Sequence, residues 1–174
     1  VVVGDESILH MAVPTSEKNG VKGIGSWSVG SRLPVKSLDD NRIIRFFMYW
    51  QESSSRTDYD LSVLLLDSNL NLRSHCSFRS LLGMGLTHSG DITSSPRGAS
   101  EFIDVNTLDL PRDAAHIVPC VNVFAGESFN DVEESFFGYM LRDPKKNGAP
   151  FEPLSVETKT NLRGDGRVDR KSVV

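Results

Sequence analysis

The segment Arg42 to Trp50, Arg-Ile-Ile-Arg-Phe-Phe-Met-Tyr-Trp, narrows the possible folds more than any other stretch of this chain. At period two it sets Ile44, Phe46, Met48 and Trp50 on one face and Ile43, Arg45, Phe47 and Tyr49 on the other. Aromatic and β-branched residues in that pattern make a strand, buried on its first face and partly on its second. Leu61 to Leu66 is a second such run, and a turn at Asp67-Ser68-Asn69 returns the chain through Leu70 to Phe78 as a hairpin. Glu101–Val105, Ile117–Phe124 and Phe136–Arg142 read as further strands, with Pro119 implying an edge position or a bulge. Leu81 to Pro96, rich in Gly and Ser, reads as irregular loop with a short strand near Leu86.

Beyond these, Ser155–Leu162 and Arg167–Val174 flank Arg163-Gly164-Asp165-Gly166, which predicts a hairpin. Ile8–Val13 and Val21–Val29 are weaker strand candidates. No window of helical length carries apolar residues at i, i+3, i+4 and i+7; the nearest, Asp131 to Phe137, is too short for more than a turn. Short strands punctuated by turns point to an all-β fold, a two-sheet antiparallel β-sandwich. Its expected core is Ile44, Phe46, Met48, Trp50, Leu61, Val63, Leu65, Val121 and Val123.

The 174 residues suffice for one domain with a real core. The first residue is Val and the last run is Ser172-Val173-Val174, which suggests a single domain, residues 1–174, cut from a longer chain. A formal charge of −4 with scattered basic residues argues against a nucleic-acid partner, because phosphate neutralisation needs clustered Lys and Arg. No apolar run approaches membrane-spanning length, so direct membrane insertion is not expected. Cys76 and Cys120, far apart and without a second pair, fit a reducing cytoplasm.

Two loops carry the chemistry. In Thr57-Asp58-Tyr59-Asp60-Leu61, residues 58 and 60 project to the same side of a strand, so their carboxylates converge. Like charges placed together are unfavourable unless a cation or a donor sits between them. The stretch His88-Ser89-Gly90-Asp91-Ile92-Thr93 adds Asp91 and Thr93, and Glu101 and Asp104 follow as the chain re-enters a sheet. Calcium takes about six to eight oxygens from carboxylates, carbonyls and water, so these loops suit it if they meet. The competing reading has Asp58 and Asp91 close turns by bonding nearby backbone amides. His75 and Cys76 face opposite ways on a strand, and no set of soft ligands has zinc spacing. A hydrolase would need a pocket gathering His88, Ser89 and acids, and adjacency in sequence does not supply that geometry. Gly83-Met84-Gly85 lacks the third glycine of a phosphate cradle, and Arg163-Gly164-Asp165 reads as an ordinary turn.

The succession Phe46-Phe-Met-Tyr-Trp50, Asp58-Tyr-Asp-Leu-Ser-Val-Leu-Leu-Leu-Asp67, His88-Ser-Gly-Asp91, Glu101-Phe-Ile-Asp-Val105 and Val121-Asn-Val-Phe-Ala125 resembles the TerD family of tellurium-resistance and stress-response proteins. The resemblance covers residues 42–143. It implies a calcium-binding β-sandwich of the bacterial cytoplasm, without enzymatic activity, that works beside protein partners of a stress-response complex, some of them membrane-associated. It also implies Asp58, Asp60, Asp91 and Glu101 as the acidic metal ligands, with Ca2+ as the cofactor. This chain departs from the family pattern after Asp91, where Ile92-Thr93-Ser94-Ser95-Pro96 stands. It departs again at Ala99-Ser100-Glu101, where the usual acidic cluster is reduced. Fewer charged ligands mean weaker calcium binding. The resulting expectation is a non-enzymatic binding and scaffolding module. The alternatives are a metal-independent structural module of a multidomain or phage-related protein, and, further off, a hydrolase.

Overall fold

A computed structural model of the chain describes residues 43–143, 156–165 and, for the backbone alone, 168–170. The strand candidates at Ile8–Val13 and Val21–Val29 lie outside the described residues. The strands are β1 (Ile43–Gln51), β2 (Asp58–Leu66), β3 (Leu72–Cys76), β4 (Leu82–Gly83), β5 (Leu86–His88), β6 (Ala99–Asn106), β7 (His116–Ala125), β8 (Glu134–Arg142), β9 (Val156–Asn161) and β10 (Val168–Arg170). They form a six-stranded sheet in the order β4-β5-β6-β1-β8-β9 and a four-stranded sheet in the order β10-β7-β2-β3. All their pairings are antiparallel. The chain is an all-β sandwich, as its alternation predicted.

Period two does the sorting. Ile44, Phe46, Met48 and Trp50 of β1 meet Tyr59, Leu61, Val63 and Leu65 of β2 across the sandwich, joined by Ile103 and Val105 of β6 and Val121 and Val123 of β7. Every residue of the expected core is buried there. The second face of β1 is partly covered as well. Phe47 lies against Phe136 edge-on and opposite Gly138, where a Cβ would strike Thr158 O and the Phe47 ring. On the same outer face Arg45 grips Asp104 of β6 through two hydrogen bonds, which commits Asp104 to the side away from the core.

At one end of the core an aromatic chain fixes the loops. The Trp50 indole stacks on Tyr59 and donates to Thr57 O at 2.9 Å. Tyr59 meets Phe129 edge-on and donates its hydroxyl hydrogen to Glu127 O at 3.1 Å. The β1–β2 connection and the loop after β7 are thereby held to the start of β2.

Two expectations fail. Pro119 does not mark an edge, because β7 is an interior strand between β10 and β2. The described pairing with β10 covers only Cys120 to Asn122, so Pro119 sits where no ladder bond is drawn from it on that side. The break in register falls instead between Asp58 and Tyr59. The Arg163-Gly164-Asp165-Gly166 segment is not a hairpin either, since β9 pairs with β8 and β10 with β7, in different sheets. Its turn residues serve a crossover between sheets, with Gly164 at φ 126°. Asn130 holds that crossover by accepting from Gly164 N and donating to Asp165.

Trp50→Phe keeps an aromatic side chain but leaves the buried Thr57 carbonyl without its donor and part of the indole's volume unfilled, and the unmet acceptor alone costs about 1–3 kcal/mol. Urea unfolding should show a loss of at least that size, and an unchanged midpoint would mean the bond does not anchor the loop.

Candidate metal centre

The site exists because one strand stops early. β3 pairs with β2 only from Val63 onwards, so on that side Asp58 to Ser62 have no neighbouring strand. A buried backbone edge must find other partners. Leu61 finds two side chains from the opposite sheet. Its N–H donates to Glu101 Oε2 at 3.0 Å, and its carbonyl lies 3.1 Å from His88 Nε2. The same two side chains also hold the following loop. Ile92 N donates to Glu101 Oε1 at 3.0 Å, and Gly90 N donates to His88 Nδ1 at 3.0 Å. Because Nδ1 accepts, the neutral ring carries its proton on Nε2 and donates it to Leu61 O. Burial favours that neutral form by pushing the His88 pKa down. Glu101 and His88 thus clamp Leu61 on one side and residues 90 and 92 on the other.

The clamp brings Asp60 and Asp91 together, each next in sequence to a clamped residue. Asp58, Asp60 and Asp91 each present a carboxylate oxygen within 4.8 Å of the others. Asp58 and Asp60 lie on the face of β2 turned away from Tyr59 and Leu61, and they are only 9% and 5% exposed. Asp91 is exposed. Among the described residues, Asp58 Oδ1 and Asp60 Oδ2 are buried with no hydrogen-bond partner. Burial first, and then the Asp91 charge, raise the Asp58 pKa against a lowering effect of Arg56. For Asp60, burial and the Asp58 charge push the pKa up to about 6, while Asn122 of β7 and Arg79 oppose the rise. Two orphaned, buried carboxylate oxygens facing a third carboxylate fit a cation. Calcium–oxygen bonds of about 2.3–2.6 Å place oxygens on opposite sides of one ion roughly 5 Å apart.

Of the sequence-predicted ligands, the structure gathers Asp58, Asp60 and Asp91 and leaves Glu101 outside that group. Glu101 is fully buried, with both oxygens on backbone amides, and burial pushes its pKa up to about 8. Thr93 turns aside to accept from Arg56 through its carbonyl and its hydroxyl, and Asp104 lies on the far face of the other sheet. Ser89 does not pair with His88: its hydroxyl oxygen accepts from Phe102 N, and both nitrogens of His88 are already engaged. Sequence reasoning missed Asn122, Arg79 and the bracing role of His88. The first two depend on strand register, while the short spacing of His88 from Asp91 was a usable signal for the third.

A second acidic feature closes the adjoining loop without a cation. Glu127 accepts from the backbone N–H groups of Ser53 and Ser54 and from the Ser54 and Thr57 hydroxyls. Burial alone would raise its pKa, but these donors bring it down to about 2.

Together the fold and these carboxylates define a class, a β-sandwich with an acidic cluster at the start of an interior strand. No family model matches the chain. A segment of 82 residues is 38% identical to the tellurium resistance protein TerZ of Serratia marcescens, covering 45% of this chain and 42% of TerZ. The match therefore spans less than half the length of that relative. The crystal structure of SAV2460, a protein of unknown function, shares the fold with a TM-score of 0.53 at 15% identity, over 76% of this chain and 87% of that one. Over that segment the chain is similar to a tellurium-resistance protein, and its β-sandwich is the fold of SAV2460.

The raised carboxylates make a pH prediction for the protein in chelator. Asp60 titrates near 3.8 unfolded and about 6 folded, so its contribution is fully present below pH 3.8 and is lost as the pH rises through 6. Asp60→Asn should therefore raise the stability of the metal-free protein at pH 7 by roughly 1–3 kcal/mol, with the gap closing towards pH 4. Unfolding midpoints across that range measure it, and a variant weaker than wild type at pH 7 would contradict the assignment.

Proposed function

We propose that this chain is a calcium-binding, non-catalytic scaffolding module of a TerD-like tellurium-resistance or stress-response system. The observation that carries this reading is the pair of buried, unpartnered carboxylate oxygens of Asp58 and Asp60, set within reach of Asp91. A bound divalent ion would convert mutual repulsion into shared coordination and tie the loop of residues 89–95 to β2. At one oxygen each, three carboxylates supply fewer ligands than calcium's usual six to eight or so, so water or a partner completes the shell and the affinity is modest. Magnesium, which demands a tight octahedron, fits less well. The sequence likeness to TerZ supports the stress-response setting. Cys76 and Cys120, which are not joined in a disulfide, fit a cytoplasmic one. Among the described residues no helix is long and apolar enough to cross a membrane.

Thermal unfolding in calcium, in magnesium and in chelator tests the reading. An ion that binds only the folded state raises the midpoint with concentration, and a hundredfold excess over Kd gives about 2.7 kcal/mol, or roughly 5–10 °C. Calcium should produce that rise and magnesium less. Asp60→Asn should abolish it, and Asp67→Asn should leave it intact, because Asp67 caps the β2–β3 turn through Asn69 and Asn71. A midpoint that stays fixed up to millimolar calcium would favour a metal-independent structural module instead.

A further inference from the structure

Beside the carboxylates lies a shelf that the calcium reading leaves unused. On β7, Asn122 supports Asp60, and two residues on, Phe124 emerges from the same face 52% exposed. Its ring lies 5.8 Å from that of Phe78, from the loop after β3. The Arg79 guanidinium sits 5.2 Å from the Phe78 ring centroid, close enough to Asp60 to favour its charged form. Arg79 is exposed, and among the described residues its donors make no hydrogen bond. Asp60, the Arg79 guanidinium and the Phe78 and Phe124 rings therefore lie next to one another on this face.

Each part selects for a property of what binds. Three carboxylates offering one oxygen each would leave a bound calcium ion short of its usual six to eight or so ligands, and Asp91 is the exposed member of the three. The guanidinium fork matches a carboxylate in two-pronged fashion. The Phe78 and Phe124 rings offer apolar area to a neighbouring side chain. Charge decides the number of anions: a divalent ion and Arg79 together balance the carboxylates of Asp58, Asp60 and Asp91, so one further carboxylate meets no net repulsion. An anionic bilayer fits less well. The chain is acidic overall, and only Arg79 of these residues is basic.

We propose that this shelf docks an acidic side chain of a partner protein. One oxygen of the partner's carboxylate completes the calcium shell, the other is gripped by Arg79, and an adjacent apolar residue rests on Phe78 and Phe124. The inference rests on calcium binding at Asp58, Asp60 and Asp91. It explains how a module with a weak site becomes a switchable contact: ion and partner each bind better in the presence of the other.

The probes are the blocked dipeptide N-acetyl-Leu-Glu-amide, its glutamine counterpart, and phosphatidylserine vesicles, each added to the full chain with calcium and with chelator. Amide NMR shifts should show the glutamate peptide saturating at residues 78–79 and 122–124 in calcium only, with the glutamine peptide inert. Arg79→Gln and Phe124→Ser should each weaken the peptide by about tenfold, the scale of one charged hydrogen bond or one lost ring contact. Both variants should keep calcium affinity, and Arg79→Gln should bind the ion equally or more tightly, since a positive charge has left the neighbourhood of Asp60. Equal binding of the two peptides, wild-type peptide affinity in both variants, or calcium-dependent capture by vesicles without peptide binding would each overturn the docking proposal while calcium binding stands. Absence of calcium binding to the wild-type chain, seen in a direct titration, would overturn the calcium reading and the docking proposal with it.

Discussion

The bond network around Leu61 is the constraint on which the rest of the site depends. An interior strand whose neighbour begins late leaves backbone groups that must be met inside the sandwich. Here the opposite sheet meets them with Glu101 and His88. Those side chains have second atoms to satisfy, and the loop amides of Gly90 and Ile92 supply the partners. Backbone accounting at one residue thus fixes where Asp91 stands. A carboxylic acid and an imidazole buried together would be a poor core pair on hydrophobic grounds alone. They persist because each closes two backbone bonds at once.

The carboxylates beside that clamp stand in the opposite condition. Glu127, a few residues away in space, shows what a carboxylate does when the chain provides donors: four N–H and O–H groups surround it and hold it ionised to low pH. Asp58 and Asp60 are more deeply buried and keep an oxygen each without any donor among the described residues. The same fold therefore contains a carboxylate satisfied by protein and a group that the protein leaves unsatisfied. That contrast is the physical case for an external cation.

The alternation of Arg42 to Trp50 and of Leu61 to Leu66 makes the sandwich and its core legible in the sequence, because period two maps directly onto two faces. Convergence of Asp58 and Asp60 followed from the same rule. Other features depended on which strands are neighbours. Gly164 and its flanking residues look like a hairpin turn, yet the chain uses them to change sheets, and local turn chemistry does not distinguish the two. Glu101 reads as a ligand by its acidity and its place after the loop. Only the inward face of β6, shared with Ile103 and Val105, turns it towards the Leu61 amide instead. Asn122 and Arg79 reach Asp60 through strand register and a loop path that no local pattern encodes.

In the proposed reading, Asp58, Asp60 and Asp91 hold a calcium ion while Glu101 braces them from behind. A crystal structure of the protein grown in calcium, with the ion located by its anomalous scattering, tests this most directly. The expected result is an ion bonded to all three aspartates at about 2.3–2.6 Å, with Glu101 still accepting from the Leu61 and Ile92 amides. An empty pocket at millimolar calcium, or an ion that draws Glu101 into its shell and releases those amides, would contradict it.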